Sequence, residues 1–180
     1  MNGISEGMSG VPRRDLILLP ASRPFIYASL FGLLMLNLMP WDGLLLVPDW
    51  LALGLVFWHI HQPRKVGLGL AFGLGLLMDV HNGALLGQHA LAYTLLSFGA
   101  ISLHRRVQWF NQFGQMIHVL PLLLLGQLVS LLVRMVAGAS FPGLMYFAAS
   151  LVATLLWPIA KWLLLAPQRR AVDRDENRPL

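Results

Sequence analysis

Three side chains in this sequence could do chemistry in an apolar setting: Asp49, Asp79 and Arg134. Asp49 stands in Pro48-Asp49-Trp50 near the head of one apolar run. Asp79 closes another, and Arg134 lies one turn from the end of a third. Ionisable groups at membrane depth are costly, so they are usually paired or functional. The spacing predicts that Arg134 pairs with Asp79 or Asp49. The alternative is that all three snorkel separately to the outer headgroups. Asp49 also has a simpler role open to it. Pro is tolerated in the first turn of a helix, and Asp there satisfies free N–H groups and the helix dipole.

No familiar catalytic spacing accompanies these charges. His59 and His61 are two apart, so on a helix they face different directions. His81 and His89 flank the turn near Asp79, and His118 lies far away in the fifth run. There is no H-E-x-x-H, no P-loop and no G-x-S-x-G elbow. The chain has no cysteine, which rules out disulfides and thiolate metal sites. The residues point to no enzyme, no metal and no cofactor, with histidines anchoring helix ends at the interface.

The chain is 57% hydrophobic and 12% charged, with mean hydropathy +0.66. Soluble domains carry about 25% charged residues. A chain of 180 residues this apolar could not hide its surface in water. The expected fold class is all-α: a polytopic membrane protein with about six transmembrane helices in one bundle. The runs are Phe25–Met39, Leu44–Ile60, Val66–Val80, Ala84–Leu103, Met116–Ala137 and Leu144–Ala166. The last three match the roughly 20 residues that cross hydrocarbon. The first three are short and need interfacial side chains or a thinner bilayer, or one is re-entrant. Without a small-x-small cleavage site, Phe25–Met39 is expected to stay as the first membrane helix.

Twelve of the thirteen Lys and Arg residues fall at the chain ends or between alternate runs. Arg13, Arg14 and Arg23 precede the first run; Arg64 and Lys65 follow the second; Arg105 and Arg106 follow the fourth. Lys161, Arg169, Arg170, Arg174 and Arg178 close the chain. The other turns carry none. The positive-inside rule then places both termini in the cytoplasm after six crossings. This gives a cytoplasmic tail 1–23, a transmembrane domain 24–166 and a second cytoplasmic tail 167–180, both tails expected to be flexible. Dispersed basic residues do not form a nucleic-acid face.

The third run is rich in glycine. Gly67, Ala71 and Gly75 recur every fourth residue, as do Gly69 and Gly73, and Gly83 and Gly87 repeat the interval. Small residues let helix backbones approach in lipid. Gly69, Gly73, Gly83 and Gly87 are candidates for bundle packing or for docking a partner helix. Trp41, Trp50, Trp58, Trp109, Trp157 and Trp162 are expected mostly at interfaces, and Pro121 and Pro158 are expected to kink the last helix pair.

Pro48-Asp49-Trp50, then Pro63-Arg64-Lys65, then Gly73-Leu74-Gly75-Leu76-Leu77-Met78-Asp79 and Gly83-Ala84-Leu85-Leu86-Gly87-Gln88-His89-Ala90-Leu91 follow in order. This succession resembles the rod shape-determining protein MreD family. Its pattern has a Pro-Asp helix start, a Gly-x-x-x-Asp helix end and a Leu-Gly-x-x-Ala-Leu segment. The resemblance places Asp49, Asp79 and Gly87 on the family motif; Arg134 is outside it. It implies a non-enzymatic bacterial inner-membrane component of the cell-elongation complex that maintains rod shape. The implied partners are an MreC-like bitopic protein, a RodA-type glycosyltransferase, a class B penicillin-binding transpeptidase and, indirectly, the MreB filament. It also implies the six-helix fold of the substrate-binding subunits of energy-coupling-factor transporters. A small-molecule-binding transporter subunit is therefore the alternative reading.

Overall fold

The structure is a computed structural model, and it describes residues 17–18, 21–41 and 46–170. Most of the two expected tails, with Arg13, Arg14, Arg174 and Arg178, lies outside the described residues, as does the start of the second run.

The described residues form helices α1 (Arg23–Leu38), α2 (Trp50–His61), α3 (Leu68–His81), α4 (Gln88–Trp109), α5 (Gln112–Val136), α6 (Ala148–Leu155) and α7 (Trp157–Leu165). A 3-10 turn, Leu144–Phe147, leads into α6. Two-residue strands β1 (Ile17–Leu18) and β2 (Arg169–Arg170) pair antiparallel. The described parts of the two tails are thus tied to each other rather than loose. Among the described residues there is no other strand.

Helix α2 is the axis of the molecule. Its sequence, WLALGLVFWHIH, is apolar on every side, and every residue from Leu51 to Ile60 is buried. A helix without a polar face must be covered all round. Here α1, α4 and α5 cover it, with α6 and α7. Phe57 stacks on His61 at 4.2 Å between centroids and meets Trp58 edge-on at 5.0 Å. Trp157 of α7 lies 5.9 Å from Phe57. Trp58 and Trp157 are fully buried, unlike Trp109 and Trp162, which are exposed. The expectation of interfacial Trp therefore fails at the two that pack on Phe57. His59 is also fully buried rather than interfacial, its Nδ1 2.7 Å from the Leu55 carbonyl oxygen.

One end of the bundle gathers the basic connections. Lys65 Nζ donates to the Ala21 carbonyl, and Gln108 donates to that of Ile60, the latter near the end of α2. Lys161 donates to Gln115 Oε1 at 3.0 Å, near the start of α5. The β1–β2 pair brings residues 17–18 and 169–170 together.

The sixth run is not one straight helix. It breaks at Leu156, and the two halves differ in direction by 42°. Pro158 sits in the first turn of α7, where its missing N–H costs nothing. Pro121 lies inside α5, which continues through it. By length and composition α5 can cross a membrane alone, and the bent pair passes the same test only when its two halves are taken together, as a broken span or a re-entrant loop. Helices α1, α2 and α3 are apolar but shorter.

Close helix approach occurs at Gly75, one glycine of the four-residue pattern, and at Gly99 and Gly126, but not at Gly69, Gly73, Gly83 or Gly87. A Cβ on Gly75 would strike the backbone of Ala90 on α4. One on Gly99 would come within 2.7 Å of Leu122, and one on Gly126 within 3.1 Å of Leu96. At Gly69, Gly73, Gly83 and Gly87 nothing lies within 4 Å. The reason is helical phase. The face that α3 buries is Ala71, Gly75, Met78 and Asp79, and Gly69 and Gly73 are on another. Gly83 and Gly87 are turn residues with φ of +57° and +102°, which glycine adopts without strain. Gly75→Leu is therefore expected to force α3 off α4, at a cost of at least about 1–3 kcal/mol. Gly73→Leu should leave stability near that of the parent. Unfolding of both variants in detergent micelles checks this, and equal stability would contradict the assigned packing.

Candidate functional site: two carboxylates joined through one helix

Asp79 ends α3 and caps α4. Its Oδ2 accepts from the backbone N–H of Gly87 at 2.9 Å and of Ala90 at 3.3 Å. Its Oδ1 accepts from the N–H of His89 at 2.7 Å. A helix start leaves its first N–H groups without intrahelical partners, and a carboxylate is well suited to them. The usual capping side chain is local. Here the N-cap residue is Gly87, which has no side chain, and the acid arrives from the preceding helix. His89 adds a fourth contact, its Nδ1 2.8 Å from Asp79 Oδ1. An ionised carboxylate only accepts, so Nδ1 carries the proton. Asp79 is fully buried.

Asp49 caps its own helix. Its Oδ1 accepts from Ala52 N at 2.9 Å and from the Asn37 amide at 2.9 Å. The Asn37 carbonyl oxygen in turn accepts from Trp50 N at 3.0 Å. The Tyr93 hydroxyl donates to Asp49 Oδ2 at 2.7 Å. Tyr93 and His89 are one turn apart on α4, with ring centroids 6.0 Å apart. The two acids are thus joined through adjacent residues of one helix.

Arg134 does not pair with either acid, contrary to expectation. The contacts of Asp79 and Asp49 go to backbone N–H groups, an imidazole, an amide and a phenol. Arg134 is exposed near the end of α5 and faces a hollow with Asn82, Gln88, His89 and Tyr146. The carboxylates are occupied by groups that the fold delivers at fixed positions, whereas a long guanidinium would have to be immobilised to compete.

The neighbouring polar side chains form a second network. Gln88 donates to Ser130 Oγ at 2.9 Å, linking α4 to α5. Ser150 donates to Gln127 Oε1 at 2.6 Å, and the Gln127 amide donates to the Tyr146 carbonyl at 3.2 Å. Reading the sequence missed Asn37, Tyr93, Gln127, Ser130 and Ser150. The available signal was a set of amides and hydroxyls inside runs that are otherwise apolar, where each must find a partner.

The family model for rod shape-determining protein MreD matches residues 21–169 of the chain. The chain belongs to the MreD family. It is also 32% identical over 143 residues to the rod shape-determining protein MreD of Haemophilus influenzae, covering 76% of this chain and 85% of that protein. No solved structure matches it. The match spans both capped acids and their partners, so the resemblance read from Pro48 to Leu91 extends across every helix. A rod-shape-determining role follows for the chain, in a family of bacterial inner-membrane proteins not known as enzymes.

Asp79→Ala removes every acceptor at the start of α4. It is expected to lower stability by at least about 2 kcal/mol, since lost caps and unpaired buried donors each cost about 1–2 kcal/mol. Asp79→Asn, which keeps one acceptor, should lose less. Gly87→Ala should cost about 1–2 kcal/mol from its left-handed backbone alone. Melting temperatures of the purified variants in one detergent test the order; an unchanged Asp79→Ala would refute the capping role.

Proposed function

We propose that the chain is a helix-docking scaffold of the rod complex, crossing the inner membrane six times with both ends cytoplasmic. In this reading residues 24–166 form the transmembrane domain, and 1–23 and 167–180 are cytoplasmic tails. The observation that carries the docking role is the outward face of α3. Gly69 and Gly73 have open space where a side chain would be. Phe72, Leu77 and Val80 beside them are exposed. The helix itself is held by Gly75 against α4 and by Asp79 at its end. A rigid helix with small residues at a four-residue interval lets another backbone come close in lipid. The occupant that fits is a single membrane helix, as in an MreC-like bitopic partner. The synthases and the MreB filament would be reached through that partner.

The arrangement of the two ends supports the topology. Residues 17–18 and 169–170, which flank the helices on either side, pair with each other, which favours an even number of crossings between them. The charged end and the end holding Asp49, Asp79 and Arg134 are opposite ends of the same helices.

Reporter fusions at residues 82 and 140 should report the periplasmic side. A cytosolic signal from either would refute the six-span arrangement. Depletion in a rod-shaped host is expected to give round cells. A photocrosslinker at the exposed Phe72 should capture a single-span membrane protein, and Gly73→Leu should abolish both that capture and complementation of shape while the protein still accumulates. Full complementation by Gly73→Leu would sink the docking face.

A further inference from the structure

The end of the bundle that holds the two acids is hollow. One cavity of about 420 Å³ is walled by residues of α1 to α6, with Asp49, Tyr93, Ser130 and Tyr146 among them. A second, of about 500 Å³, shares Asn82, His89 and Tyr146 with the first and carries Arg134. Each is many times the ~30 Å³ share of one water. Both fall within the ~300–1,000 Å³ of small-molecule sites. A hollow of this size inside a membrane bundle is not a packing remnant that one structural water would fill.

The charges facing these cavities are not matched to each other. Asp49 accepts three hydrogen bonds, all from neutral donors: the Asn37 amide, the Ala52 N–H and the Tyr93 hydroxyl. No cationic side chain bonds to it among the described residues. Arg134 bonds to neither acid, as shown above. Asp79, by contrast, is occupied by His89 and three backbone donors. One half-buried anion and one cation therefore line two adjoining spaces that share wall residues, each without a charged partner among the described residues. Between them the wall offers the hydroxyls of Tyr93 and Ser130. The ring of Tyr146 lines both spaces. The remaining lining includes Leu96, Leu123 and Ala153.

We propose that the two adjoining cavities together bind a small zwitterion, with its ammonium on Asp49 and its phosphate or carboxylate on Arg134. An ammonium brings donors to a carboxylate that has only neutral ones, and the tyrosine rings can face its charge. The guanidinium supplies fork geometry for an anionic oxygen pair. Buried charge is tolerated when paired, and a ligand bearing both signs enters without net charge. A lone cation would leave Arg134 unmatched, and a lone anion would leave Asp49 so. The chemistry is that of a phosphoethanolamine group, which could come from a lipid headgroup or a soluble molecule. Met145 lines the cavity and is 66% exposed, so the wall at the 3-10 turn is open to the surroundings.

The test uses the full chain in detergent micelles. Free glycerophosphoethanolamine, whose phosphodiester and ammonium leave it without net charge, ethanolamine and inorganic phosphate are titrated while the melting temperature is followed. Native mass spectrometry, after exchange into mixed micelles of phosphatidylethanolamine and phosphatidylglycerol, reports retained lipid. The expected result is a rise of several degrees with the free zwitterion, or selective retention of phosphatidylethanolamine. The first outcome identifies a soluble source and the second a headgroup. Asp49→Asn, which keeps the oxygen that caps α2 but turns the group facing Tyr93 into a donor, and Arg134→Gln, on an exposed position, should each weaken binding by about tenfold or more, as loss of a charge-assisted bond does. The proposal is overturned if neither form binds. It is equally overturned if ethanolamine or phosphate alone matches the zwitterion, or if Arg134→Gln, whose fold is not at risk, binds as the parent does.

Discussion

Much of the architecture depends on one carboxylate at the wrong end of a helix. Asp79 belongs to the last turn of α3, where the helix dipole disfavours a negative charge. It is kept there because its oxygens face the first N–H groups of α4. The cost of an acid at a C-terminus is offset by the free donors at the next N-terminus. Three further features follow from that geometry. Gly87 must be able to take a positive φ so that its N–H turns toward the acid. Gly75, one turn before Asp79, must lack a side chain so that α3 can lie against Ala90. His89 must follow Gly87 closely enough to add its imidazole. Gly-x-x-x-Asp and the later Gly-x-x-Ala are therefore one device rather than two motifs.

From that clamp the connection runs on to the core. Tyr93 is one turn beyond His89 and reaches Asp49, which caps α2. Helix α2 is the buried axis, and Asn37 ties the end of α1 to its cap. In lipid the hydrophobic effect gives little reason for helices to associate, so packing and internal hydrogen bonds carry more of the load. The structure uses both. Small residues at the α3–α4 and α4–α5 crossings bring backbones together, and polar side chains at one end join the helices crosswise. The opposite, basic end is tied by bonds from Lys65, Gln108 and Lys161.

The same polar end has two possible uses that do not conflict. The docking proposal uses the outer face of α3, a helix held by Gly75 against α4 and by Asp79 at its end. The ligand proposal uses the hollows lined by Asp49 and by Arg134. Because Asp49 and Asp79 are linked through adjacent residues on α4, occupancy of the hollow and the posture of α3 share a physical connection. The network is short enough that both sites bear on the same helix start.

Composition, charge placement and motif order were sufficient for the class of protein. An apolar chain with basic residues at alternate turns reads as a membrane bundle, since those quantities depend only on residue type and position along the chain. The Pro-Asp and Gly-x-x-x-Asp patterns led to the family for the same reason. The helix starts at Asp49 and the importance of Asp79 and Gly87 were also legible there. The partners of the acids were not. A periodic glycine pattern defines two faces of α3 without saying which meets α4, so Gly75 and Gly73 could be separated only by the fold. Arg134 looked like the natural counter-charge because charge sign is visible in a sequence. The backbone N–H groups that bond Asp79 in its place are carried by nearly every residue, and only the tertiary arrangement of α3 against α4 selects the three that do.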